Sequence, residues 1–238
     1  MSDRFVRGWK VSPEKLQALV GKKQVEAKAV LESRANEESL EEVVMTLGDE
    51  SEEEGTKIAG DALAAILGGE LNSDDAYAYG RVTELLLNHI ARPLAADDEI
   101  VMELTYHVPG AEFGCWNPLL KALKLRKLAR TWARGNFAFP WAKGKPRSNW
   151  PAWTLIAGDD LEAVAAELEP LTRKQLDALP AALLADDEAD AAETRDELWE
   201  GLKTLRKWVK TARRDEKKER LGVAIQGNAL VLLMDGDQ

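Results

Sequence analysis

Five apolar residues, Leu198, Leu202, Leu205, Val209 and Ala212, recur at four–three–four–three spacing within residues 194–219. This period lays them along one side of an α-helix, and the stripe must be covered by a core or by another helix. Two heptads are too few for a coiled coil, so the stripe belongs to a globular fold assembled around it. The acidic, Ala-rich stretch Asp186–Glu193 leads into the same helix.

Most of the remaining chain is helix punctuated by start and stop residues. Phe5–Val11 reads as a short strand, after which Ser12 and Pro13 open a helix that Gly21 closes. Lys23–Arg34 and Glu37–Leu47 are two more helices, the second preceded by Asn36 and ended by Gly48. Asp49–Gly55 reads as a solvated acidic loop, and Thr56 as the cap of a helix stopping at Gly68. Ser73 opens a longer helix through Ile90, with Tyr79, Val82, Leu86 and Ile90 as its buried stripe and Arg81 near enough to Glu84 to pair. His89 flanks that stripe as a packing histidine. Ile100–Val108 alternates as a half-buried strand, and Trp153–Ala157 is another. Asp159 and Glu162 form a capping-box pattern for a helix ending before Pro170, and Thr172 caps one that breaks at Pro180. Val223–Gln226 and Ala229–Met234 flank Gly227-Asn228 as a β-hairpin, with apolar Leu230–Met234 as a central strand. With no internal repeat and no linker, this order predicts one α+β domain over residues 1–238. It is a helix-rich domain around a small mixed sheet with a C-terminal β-hairpin.

One segment differs in chemistry from its surroundings. Between Phe113 and Trp150 lie nine Lys or Arg residues and no Asp or Glu, while the chain as a whole carries −10. Five of the eight tryptophans (Trp116, Trp132, Trp141, Trp150 and Trp153) fall in or beside it. Asn117 and Pro118 start a helix bearing Leu119, Leu120 and Leu123. From Leu125 the apolar face moves half a turn to Leu125, Leu128, Ala129 and Trp132, which predicts a break near Lys124. Arg126, Lys127, Arg130 and Arg134 then form a basic face opposite the leucines. Gly135–Pro151 is a long irregular loop rich in Trp and Lys, the kind of segment that works as a surface.

Charge and composition narrow the function. The acidic balance argues against a surface that meets nucleic acid or an anionic membrane along its whole extent. A single cysteine, Cys115, permits no intrachain disulfide, and no run reaches the length of a membrane helix, so a cytoplasmic setting is expected. His89, His107 and Cys115 lack a familiar metal-ligand spacing, and no phosphate loop, nucleophile elbow or zincin motif occurs. Glu103 with His107, or His107 with Cys115, are acid–base or nucleophile pairs in type, but a polar strand face and an inert thiol explain them as well.

Several features in order resemble a known group. Leu16, Leu19, Val20 and Gly21 make a Leu-x-x-Leu-Val-Gly start. Tyr77, Tyr79, Gly80, Glu84, Leu85 and Leu86 follow in one helix, then the Gly135…Pro140 turn, a Trp-Pro before a strand and an apolar final strand. Together they resemble uncharacterised bacterial families related to YfbM-like domains of unknown function. The resemblance implies a fold class and no catalytic residues.

The expected function is therefore that of a non-enzymatic interaction protein binding another protein, in an immunity-type or regulatory role, through the Trp/basic loop or the acidic surface. The residues expected to carry it are Arg126, Arg130, Arg134, Trp141, Lys143, Lys145, Arg147 and Trp150, since Trp and Arg dominate binding hot spots. No catalytic residue, metal or cofactor is implied, and no membrane partner. The alternative is an enzyme or a nucleotide or nucleic-acid binder with its pocket between the 79–90 helix and the Trp-rich loop. For the basic helix itself, neutralising the chain's own acids is favoured over binding nucleic acid, so the Trp loop is expected to matter for binding and the helix charges mainly for stability.

Overall fold

The computed structural model describes residues 4–12, 18, 23–48, 51–68, 76–94, 103–104, 117–133, 152–184, 188–213 and 229–236. In chain order these give β1 (Arg4–Val11), α1 (Lys23–Leu31), a 3-10 turn (Arg34–Asn36), α2 (Glu37–Leu47), α3 (Glu52–Gly68) and α4 (Ala76–Ile90). Then come β2 (Arg92–Pro93), β3 (Glu103–Leu104), α5 (Asn117–Ala122), α6 (Arg126–Ala133), β4 (Ala152–Ala157) and α7 (Gly158–Leu168). The chain continues with α8 (Arg173–Asp177), a 3-10 turn (Ala181–Leu183), α9 (Glu188–Ala212) and β5 (Ala229–Gly236). Two compact units share these elements: residues 1–10, 93–135 and 152–238 form one, and residues 11–92 and 136–151 the other.

The second unit, as far as it is described, is helical. Val30, Val43, Val44, Leu63, Ile66, Leu67, Val82, Leu85, Leu86 and Leu87 form its interior. Asn36 does not cap α2 with its side chain. Its amide instead donates to the carbonyls of Val30 at 2.8 Å and Leu85 at 2.9 Å, tying α1 to α4 through a fully buried polar group. Gly48 and Gly55 sit where backbones meet: a Cβ on Gly55 would lie 2.0 Å from the carbonyl oxygen of Val44, so α3 presses on α2 in a way only glycine permits.

The acidic stretch expected as a loop turns out to be the start of α3. Ser51 Oγ accepts the backbone N–H of Glu54 at 3.2 Å, and Glu52, Glu53 and Glu54 occupy the first turn. Three carboxylates there face the positive end of the helix dipole, which favours a helix starting at Glu52 rather than after Thr56.

In the first unit the core gathers Leu119, Leu120, Leu125, Leu128, Ile156, Leu161, Val164, Leu168 and the stripe of α9. All five stripe residues are buried, and at 25 residues α9 is about 38 Å long. Trp208 of the same helix lies flat against Gly8 of β1, where an added Cβ would come within 2.7 Å of its ring. Thr172 opens α8, and its N–H donates to the Gln175 side chain at 2.8 Å. The capping box expected at Asp159 and Glu162 is not made: Ala157 holds the N-cap position with no side-chain bond, and Gly158 takes a φ of +53°.

The α+β expectation of a small mixed sheet with a C-terminal hairpin is corrected. Helices make up most of the described chain, and the strands are few. β5 pairs antiparallel with β4, Trp153 opposite Leu233 and Ile156 opposite Leu230, and β3 pairs antiparallel with β1, Phe5 opposite Glu103. The strand order β2-β1-β5-β4 fills both sides of β5. The ladder described for β5 is with β4, more than 70 residues earlier. Val223–Gln226 itself, the Ser12–Gly21 helix beyond Ser12 and Ala18, and all but two residues of the Ile100–Val108 strand lie outside the described residues.

Candidate functional site

The basic segment begins as two short helices joined by a tight turn. The Leu125 N–H donates to the Leu120 carbonyl at 2.8 Å and the Lys124 N–H to the Lys121 carbonyl at 3.0 Å, a Schellman closure of α5. Leu120 and Leu125, brought together by that turn, are both buried in the same core. The position between them must be left-handed, and Lys124 holds it with φ 63°. Glycine is the usual occupant, and for a residue with a Cβ the conformation costs about 1–2 kcal/mol. The break expected near Lys124 is thus present and has a defined geometry.

After the turn, α6 divides cleanly. Leu125, Leu128 and Ala129 are buried, while Arg126, Lys127 and Arg130 are exposed. Lys121 and Lys124 are exposed immediately before it, so five cations lie on α5, the turn and α6. Arg126 and Arg130 make no ion pair among the described residues. Glu167 binds the backbone of this helix: both its oxygens accept the Lys127 N–H at 2.9 Å, and one accepts the Leu128 N–H at 3.1 Å. Glu167, on α7, serves as a side-chain cap for the first turn of a helix about 40 residues earlier in the chain, where its charge also suits the helix dipole.

Of the residues expected to carry binding, the structure therefore brings Arg126 and Arg130 together on one exposed face. Arg134, Trp141, Lys143, Lys145, Arg147 and Trp150 lie outside the described residues, as do His107 and Cys115. His89 is half-buried at the end of α4. Among the described residues no group of three or more His, Cys, Asp or Glu is placed to hold a metal.

Sequence reasoning missed Lys121, Lys124 and Glu167 as parts of this site, and it missed a groove on the same unit. Ala165 and Leu168 of α7, Glu169 just after it, and Arg206, Val209, Lys210 and Arg213 at the α9 end enclose about 220 Å³. The spacing of the cations at 206, 210 and 213 was the available signal. Most of their charge is used internally. Arg213 reaches Glu162 at 2.7 Å and Glu169 at 2.8 Å, and these hydrogen bonds, that to Glu162 first, hold its guanidinium above the ordinary arginine pKa. Arg206 donates to the Leu171 carbonyl at 2.6 Å with the Trp199 ring 6.0 Å away. The groove is mainly where α9 is fastened to α7.

Fold and site together define a helix-rich protein of acidic balance that displays a basic helical face. The chain belongs to the family described as Domain of unknown function (DUF7691), whose model matches residues 3–225. That match establishes a domain of unknown function across nearly the whole chain and no link to YfbM-like domains. No curated protein and no solved structure matches the chain. No helix among the described residues is long and apolar enough to cross a membrane.

Proposed function

We propose that this is a non-enzymatic interaction protein that binds another protein, in an immunity-type or regulatory role, through the basic face of α6 and the Trp-rich loop that follows it in the chain. The observation that supports this reading is the state of Arg126 and Arg130. They are exposed, they lie one turn apart, and no carboxylate among the described residues pairs with them. Had the helix served to neutralise the chain's own acids, Glu167 would be expected on these side chains and not on the backbone. A cytoplasmic setting, a single cooperative domain and kinship with YfbM-like domains belong to the same proposal.

The test compares the wild type, Arg126→Gln/Arg130→Gln and Trp141→Ala by cross-linking and capture at two salt concentrations. A protein held by the wild type and lost from both variants, at unchanged melting temperature, supports the reading, with the loss increasing in salt. Equal recovery by all three chains overturns it, as does a melting temperature that falls with the arginines.

A further inference from the structure

We propose that Lys121, Lys124, Arg126 and Arg130 form a carboxylate-reading face, and that its partner is an acidic segment of a protein, not a nucleic acid. This rests on the protein-binding reading above and names the chemistry of the partner and two further residues of the site.

The first observation is Lys124. It is the non-glycine residue with positive φ among those described, at a turn position that glycine would fill without strain. Its side chain is exposed, so no packing of its own repays the strain. Lysine at that position does supply an exposed cation at the turn, between the exposed Lys121 before it and Arg126 after it in the chain. Strained backbone clusters at functional positions, and the packing of Lys124 gives no other account of it.

The second observation is Glu167. The N-terminus of a helix is the natural seat for a phosphate, through its free N–H groups and its dipole. In α6 that seat is taken by the chain's own carboxylate, bound by the N–H groups of Lys127 and Leu128. What remains open is the side of the helix, where Arg126 and Arg130 stand about 6 Å apart. This repeat matches acids one turn apart on a helix, or alternate residues of an extended strand at about 6.8 Å.

The third is the charge outside the patch. A duplex carries one negative charge per about 1.7 Å and extends far beyond the five cations among the described residues. Its further phosphates would meet a chain of net charge −10, with Asp159 and Glu162 exposed on the helix that packs against α6. A short acidic segment can match the described cations without reaching those acids.

The experiment uses the full chain, fluorescence anisotropy and two labelled probes: a polyglutamate peptide of about 20 residues and a single-stranded oligodeoxynucleotide of matched charge. Wild type should bind polyglutamate more tightly than the oligonucleotide, with an affinity that weakens as salt rises. Lys124→Gly relieves the left-handed strain, so it should melt at or above the wild-type temperature and yet bind polyglutamate about two- to fivefold more weakly, the range of one exposed ion pair. Lys124→Arg should restore binding. Tighter binding of the oligonucleotide overturns the proposal in favour of nucleic acid. So does a Lys124→Gly chain that melts lower, since the lysine would then serve the fold. If Lys124→Gly binds polyglutamate like wild type while Arg126→Gln/Arg130→Gln loses it, the assignment of Lys124 fails and the protein-binding reading stands. Capture of a protein partner without any polyglutamate binding by wild type likewise removes only the carboxylate assignment.

Discussion

The Glu167 carboxylate lies 2.9 Å from the backbone nitrogen of Lys127 through each of its two oxygens. One side chain thus fixes the start of α6 to α7 and presents the basic face in a set orientation. Glu167→Ala leaves the first N–H groups of α6 without that acceptor and should cost about 0.5–2 kcal/mol, as loss of an N-cap does. Glu167→Gln, which keeps an acceptor and removes the charge, should cost less. Denaturant titration of both variants checks the order, and equal destabilisation would show that packing and not capping holds α6.

Leu86 is fully buried in the middle of α4, among Val82, Leu85 and Leu87. Leu86→Ala should lower stability by about 2–5 kcal/mol, the transfer and cavity cost of a core leucine. The measurement is chemical denaturation at a fixed m-value, and a loss under about 0.5 kcal/mol would place the side chain at the surface.

Both compact units are built from separated stretches of chain, with residues 11–92 interrupting the first unit and residues 136–151 returning to the second. The first unit takes its segments from both sides of residues 11–92. Calorimetry should therefore record one unfolding transition with matching van't Hoff and calorimetric enthalpies. Two transitions, or two fragments that melt independently after limited proteolysis, would contradict the single cooperative domain.

What was legible in the sequence is what depends on neighbours within a few turns. The stripe from Leu198 to Ala212 and the half-turn shift of the apolar face at Leu125 are local patterns, and both identify buried faces that the structure contains. Leu230–Met234 is apolar throughout, and its strand does lie between two others. The errors came where a local signal competed with a distant partner. Gly227-Asn228 is a sound turn signal, but the ladder of β5 is with β4. Glu52–Glu54 are solvated as expected, but they are not a loop, because at a helix start the dipole and Ser51 favour helix. Asp159 and Glu162 have capping-box spacing, yet Glu162 is drawn to Arg213, 51 residues on. Nothing near Glu167 in sequence hints that its acceptor role lies at residues 127 and 128.

The placement of β5 between β1 and β4 bears on how the chain is made as well as how it stands. During synthesis β1 leaves the ribosome first and β4 far later, and neither can meet its inner neighbour until Ala229–Gly236 emerges. Until then both present bare hydrogen-bonding edges, and contacts that close over more than 200 residues form slowly. Among the described residues, the helical stretch at 23–90 finds its buried partners nearer in sequence, as Asn36 does in Leu85, 49 residues on. Translation should therefore yield a helical portion early and strands that pair only at the end. A nascent chain stalled before residue 229 would be the form most exposed to strand-to-strand aggregation.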